Sequence, residues 1–319
     1  MQLNGLHHIT AVTAKVNHNV TFYTNALGLR LVKKSVNQDD VSAYHLFYAD
    51  HLGTPGTDIT FFDWPHIGPN APGTDSIAGT AFRVNSTEAL EFWADRLTSS
   101  RAGDIQRTKF LDREIVSFLD PEGQQLYLVN DNGAPFEGKP WERPDIPSEY
   151  LLKGFYSAIL TTPEPLQINE VLVSGLNFEF IDLTTWIDGS TPVRLYRTHS
   201  GGGPGSEVWV LEEPGKSPNR LGAGGVHHAA FRVKDQETQE AWRSRLREAG
   251  IHATQVIDRF WFKSIYFRIS RGILFEIATE GPGFTVDESL ESLGENLVLP
   301  PFLESKREEI ESELEPITV

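Results

Sequence analysis

Two short stretches of this chain carry paired imidazoles in a strand-like context: GLHHITAV at 5–12 and GVHHAAFRV at 225–233. Imidazole nitrogens bind borderline metals and exchange protons near neutral pH, so such doublets suit either ligation or acid–base work. A carboxylate joins them. Glu276 lies between Phe275 and Ile277 in GILFEIATEGPGF (272–284), which otherwise reads as a buried strand. Ionised there without a partner, it would cost on the order of several kcal/mol, a cost that a divalent cation removes. Two imidazoles and one carboxylate make the facial triad of non-haem Fe(II) oxygenases, which leaves adjacent coordination positions free for substrate and O2. Strand alternation puts His8 on the face of Leu6 and Thr10, and His228 on that of Val226 and Ala230. It does not choose between the members of either doublet. His18, His45, His51, His66, His199 and His252 have no matching context and read as ordinary polar residues.

An internal repeat provides a control. At an offset of 149 residues, TAFRVNSTEALEFWADRL (80–97) lies over AAFRVKDQETQEAWRSRL (229–246), Gly5 over Gly154, and PGTDITFF (55–62) over PGSEVWVL (204–211). The match needs no gap, the signature of duplication. The same offset lays His228 on Gly79, His8 on Ser157 and Glu276 on Tyr127. The fold therefore does not demand these side chains; something local does.

Alternating apolar positions and i, i+3, i+4 spacing divide each half again, giving four βαβββ modules over 5–63, 77–130, 152–212 and 223–279. Ser86 reads as the N-cap of the second helix, with Glu88 and Glu91 near its positive end. The expected class is α+β, with residues 1–133 as a first half, 134–149 as a Pro- and charge-rich linker, 150–286 as a second half and 287–319 as a tail. The tail reads as an amphipathic helix offering Phe302, Leu303, Ile310 and Leu314 for packing. THSGGGPGSE (198–207) lacks the GK[ST] ending of a phosphate loop and reads as a turn.

Composition narrows the function. The chain has 319 residues, 39% hydrophobic and 23% charged, as expected of a soluble globular protein. A net charge of -16 argues against nucleic acid. No cysteine is present, which excludes thiolate catalysis and Cys-based metal sites. No apolar run is long enough for a membrane helix and no secretory signal is evident, so a cytoplasmic location is expected.

The four modules, the HH doublets opening the first and last of them, and the closing FEIAT strand resemble the vicinal oxygen chelate superfamily, which includes glyoxalases, bleomycin resistance proteins and extradiol dioxygenases. Within it the chain looks like the hydroquinone-type ring-cleaving dioxygenases, with DRFWFKSIYF (258–267) between the last histidine and the glutamate as the most specific part. The resemblance implies two open, curved mixed-sheet barrels, and Fe(II) held by His8, His228 and Glu276. It implies an extradiol-type enzyme acting on para-diols with O2. Thr10, His227, Arg259 and Tyr266 match positions around the ligands: Tyr266 and Arg259 to hold the substrate oxygen, and His227 as acid–base. His7 matches too, though alternation points it away from His8. Catechol-type relatives draw their ligands from modules three and four, where this chain has Ser157. Ligands from modules one and four require those two to pair, and two with three. Metal-dependent glyoxalase-type isomerases and thiol transferases, using Zn(II), Ni(II) or Mn(II), are the alternative, with four protein ligands and commonly two carboxylates. Metal-free binding proteins of the same fold are another. The partners implied are a small aromatic diol and O2, with neither nucleic acid nor membrane; a homo-oligomer is compatible with this reading.

Overall fold

The computed structural model describes residues 1–318; Val319, the last residue of the tail, lies outside the described residues. Module one comprises β1 (Leu6–Thr13), α1 (Val16–Thr21), which runs on into a π turn at Phe22–Ala26, β2 (Arg30–Asn37), β3 (Asp40–Ala49) and β4 (Asp58–Asp63). Module two has β5 (Ser76–Val84), α2 (Thr87–Thr98), β6 (Gly103–Phe110), β7 (Arg113–Leu119) and β8 (Gln125–Asn130). Module three repeats the first with β9 (Phe155–Thr162), α3 (Pro165–Glu170), a π turn, β10 (Glu179–Thr185), β11 (Pro192–Arg197) and β12 (Glu207–Glu212). Module four closes the series with β13 (Val226–Val233), α4 (Gln236–Glu248), β14 (Ile257–Asp258), β15 (Lys263–Arg268) and β16 (Leu274–Thr279). Ser86 caps α2 by accepting from the Ala89 amide, and Asp235 caps α4 in the same way.

The strands form two eight-stranded mixed sheets, each an open half-barrel. One runs β14-β15-β16-β13-β1-β4-β3-β2 and the other β10-β11-β12-β9-β5-β8-β7-β6. Module one thus pairs with module four, and two with three. The central seam of each sheet is antiparallel, β1 on β13 and β5 on β9, flanked by the parallel pairs β1–β4, β13–β16, β5–β8 and β9–β12.

The seams are bulged, and this corrects the sequence reading of faces. In β1, Leu6 pairs with Phe231 but Ile9 with Ala229; in β13, Thr10 faces His228 but Ala11 faces Val226. One extra residue enters each strand, at the histidine doublets. A bulge shifts the alternation by one residue. Leu6 and Val226 therefore pack into the large core with Ile9 and Ala229 instead of sharing the face of the histidines. The bulge also lets both histidines of a doublet meet, so His7 does not simply point away from His8. The seam of the other sheet has the same shifts, between Ile77 and Gly79 and between Ala81 and Phe82.

The large core includes the sheet faces opposite the site together with the helices, among them Trp93 and Trp242, both fully buried. Smaller clusters fill the two inner faces: Phe110, Tyr127, Tyr156, Trp186 and Trp209 in one, and Val32, Phe47, Trp261, Phe262, Phe284 and Leu293 in the other. After β16 the chain crosses back over module one, where the buried Lys33 ammonium meets Asp287, Glu288 and the Phe284 carbonyl. The expected tail helix is shorter than its pattern suggested. Only Arg307–Glu313 is α-helical; Leu303, Ile310 and Leu314 are buried, whereas Phe302 is exposed, because the double proline and a 3-10 turn precede the helix. Among the described residues, no helix is long and apolar enough to cross a membrane.

Candidate metal centre

His8 on β1, His228 on β13 and Glu276 on β16 converge on the inner face of the module-one/module-four sheet, and each is buried. Their donor atoms form a nearly regular triangle. His8 Nε2 lies 3.2 Å from His228 Nε2 and 3.2 Å from Glu276 Oε2, and His228 Nε2 lies 3.0 Å from that oxygen. Glu276 Oε2 nevertheless has no hydrogen-bond partner among the described residues. The ring nitrogens come close to it, but their N–H directions do not serve it.

The surrounding hydrogen bonds explain why. His7 Nε2 is 3.2 Å from the Thr279 carbonyl, which can only accept, so that nitrogen carries the proton. Burial, and then the neighbouring His8 ring, push the His7 pKa down to about 3, so the ring is neutral and its Nδ1 is an acceptor. His8 Nδ1, 2.9 Å away, must donate to it, which aims His8 Nε2 into the triangle. His227 Nδ1 stands 2.8 Å from His228 Nδ1 in the equivalent arrangement. Ser264 on β15 donates to Glu276 Oε1 and turns Oε2 inward.

These residues fit a divalent cation. Two imidazole nitrogens and a carboxylate oxygen aimed at one point call for positive charge between them, and although burial lowers it, Glu276 raises the His8 pKa accordingly. Their spacing is also close to the separation of about 3.0 Å between adjacent corners of an octahedron with bonds of about 2.1 Å, whereas a tetrahedron of such bonds needs about 3.4 Å. Despite burial, which raises it, Glu276 is held well below the usual carboxylate range by His8 and His228.

The triangle borders a narrow cleft lined by Phe47, Phe62, Trp261, Phe262 and by Tyr266, Arg259 and His45. Burial pushes the Tyr266 phenol above its ordinary value. The Arg259 guanidinium lies 5.5 Å over the Tyr266 ring and makes a forked pair with Asp39, at 3.1 and 2.7 Å, across the chain instead of with Asp258 next to it.

The family follows from comparison with known proteins. Residues 5–128 match the model of the Glyoxalase/Bleomycin resistance protein/Dioxygenase superfamily. A Bacillus subtilis protein provisionally named ring-cleaving dioxygenase MhqA is 42% identical over 318 residues, covering 99% of this chain and 100% of its own. The chain belongs to this superfamily, among its ring-cleaving dioxygenases. The chlorohydroquinone/hydroquinone 1,2-dioxygenase of Sphingobium indicum is 29% identical over 97% of this chain and 95% of its own. The crystal structure of a provisionally named dioxygenase from Bacillus subtilis superposes with a TM-score of 0.91 at 34% identity, covering 100% of this chain and 98% of that one. Maize glyoxalase I shares the fold, with a TM-score of 0.62 at 14% identity over 86% of this chain and 92% of its own.

Around the metal centre of this dioxygenase-family chain, Thr10 Oγ1 is 3.0 Å from His228 Nε2 and accepts from Thr60 Oγ1 at 2.8 Å. Thr60 in turn is 2.9 Å from His45 Nε2. His45, which reads as an ordinary polar residue in the sequence, lies between Phe47 and Phe62, tilted against both rings at centroid distances of 3.9 and 4.5 Å. His227 does not line the cleft. Its Nδ1 is engaged with His228, and burial, followed by the His228 ring, lowers its pKa to about 3. Ser264, Asp39, His45 and Thr60 were missed by the sequence reading. Only the repeat could have pointed to one of them: Thr60 stands beside Thr10 in β4 as Glu276 stands beside Ala230 in β16.

Proposed function

We propose that this protein is an Fe(II)-dependent ring-cleaving dioxygenase that opens hydroquinone-like para-diols with O2. The observation that carries this is the donor triangle, which borders a cleft lined mainly by aromatic side chains. In a para-diol no two hydroxyl-bearing carbons are adjacent. The cut therefore falls between a hydroxyl-bearing carbon and a neighbour without one, an extradiol-type cleavage that leaves both atoms of O2 in the product. The name of the Sphingobium relative supports this substrate class.

His8, His228 and Glu276 would hold the ion, whose chemistry is to carry electrons from the ring to O2. The chain's own residues do the rest. Phe47, Phe62 and Phe262 seat the ring and exclude water. Tyr266 and Arg259 offer donors to a substrate oxygen and stabilise negative charge developing on it, with Asp39 fixing the guanidinium. Thr10 presents its hydroxyl beside the ligand atoms, oriented by Thr60, which is in turn held by the His45 ring. His7 and His227 fix the tautomers of the ligand rings.

The four-ligand, glyoxalase-type alternative is disfavoured by Thr60. The symmetry that relates β1–β4 to β13–β16 puts this hydroxyl where a second carboxylate would have to stand. The test is to purify the protein without oxygen, load it with Fe(II), and follow oxygen uptake with hydroquinones and catechols. Uptake with para-diols supports the reading; bound iron with no uptake on any diol overturns it.

A further inference from the structure

Asp58 opens β4 and pairs in register with His8, one rung before the hydrogen-bonded Thr10–Thr60 pair. Register partners in a parallel pair share a face, so the Asp58 carboxylate stands beside His8 on the inner face of the sheet. It is 1% exposed, and neither oxygen has a hydrogen-bond partner among the described residues. Burial pushes its pKa up to about 8, so alone it takes up a proton, and staying ionised requires a compensating charge.

The second sheet shows what compensation looks like on the same rung. There Ser157 pairs with Glu207, the repeat equivalents of His8 and Asp58. Glu207 receives a forked pair from Arg113 at 3.0 and 3.1 Å, and the Trp209 indole at 2.7 Å. The repeat replaces Arg113 by Phe262 and Trp209 by Thr60 beside Asp58. The Phe262 ring lies 5.2 Å from both His7 and His8 and brings no charge. The rung has kept its carboxylate and lost its cation, and the triangle that asks for a cation begins on that rung, at His8.

We propose that Asp58 is a second counter-charge to the bound metal ion, a positioning residue that does not ligate but acts through His8 to neutralise a site in which one carboxylate faces a doubly charged ion. The inference rests on the metal centre of the proposed function, not on the ring-cleaving reaction. Asp58→Asn keeps the shape and removes the charge. Titrated anaerobically with Fe(II), and with Zn(II) in competition with a chromophoric chelator, it should bind 10- to 100-fold more weakly than wild type, the usual size of an effect just outside the ligands. The metal-free variant should melt no lower than metal-free wild type, because without metal the buried Asp58 carboxyl holds a proton and carries no charge to lose, while its gain in Tm on adding metal shrinks. Glu207→Gln should do the opposite, lowering the metal-free Tm and leaving affinity intact. Asp58→Asn affinity within twofold of wild type overturns the proposal. A metal-free Tm that falls with affinity overturns it too, as the mark of a structural role. Wild-type protein that binds neither ion would sink the metal centre itself, whereas tight binding without diol-dependent oxygen uptake would sink only the proposed reaction.

Discussion

The two half-barrels are built on one backbone plan and filled in opposite ways. Both have an antiparallel seam with two bulges, flanked by parallel pairs. In the sheet of modules one and four, the bulged positions carry His8 and His228, and β16 brings in Glu276. In the sheet of modules two and three, Ser157 and Gly79 occupy those positions and Tyr127 replaces the glutamate. A Cβ on Gly79 would meet Tyr127 Cε2 at 2.8 Å, so the ring takes the space that a ligand would need. Phe110, Tyr127, Tyr156, Trp186 and Trp209 then close the inner face. The bulge is thus a property of the scaffold and the metal centre an option on it. One copy keeps an open pocket with the three ligand side chains at its base, and the other turns the same pocket into packing.

The comparison can be broken most severely at the ligands. His8→Ala, His228→Ala or Glu276→Ala should each abolish diol-dependent oxygen uptake and leave the protein without stoichiometric iron by metal analysis, while Ser157→Ala in the other sheet should change neither. On the packed side, Arg113→Ala strands Glu207 without its cation. It should cost about 3–5 kcal/mol in denaturant unfolding, typical of breaking a buried pair, with metal affinity unchanged. Tyr266→Phe should retain iron and slow turnover by about 100-fold, the loss expected when one donor to developing charge is removed. The smallest effect belongs to Thr60→Val, which cuts the link from His45 to Thr10. A loss of roughly one hydrogen bond predicts about a tenfold fall in kcat/KM with iron content intact.

Much of this was legible in the chain. A gapless repeat exposed the modules, and a glutamate flanked by Phe275 and Ile277 exposed the carboxylate, because periodicity and burial are local signals. The pairing of module one with module four followed from where the ligands lie. The parity of Leu6 and Val226 was misread because a bulge inserts a residue without leaving a mark on composition. Asp39 and Ser264 could not be found, since their partners Arg259 and Glu276 are chosen by tertiary contact. His45 looks like any polar residue in a strand, and only the cross-strand bond to Thr60 distinguishes it. Asp58 reads as the polar start of a strand, and its isolation is visible only once its neighbours are in place.

The strand order also sets a timetable for biosynthesis. β5–β12 are contiguous in the chain and can assemble into a complete sheet as they leave the ribosome, whereas β1 must wait for β13, about 220 residues later. At roughly 5–20 residues per second this delay is about 10–45 s, during which the first histidine doublet has no counterpart. Completion of the His8–His228–Glu276 triangle is therefore deferred to the end of translation.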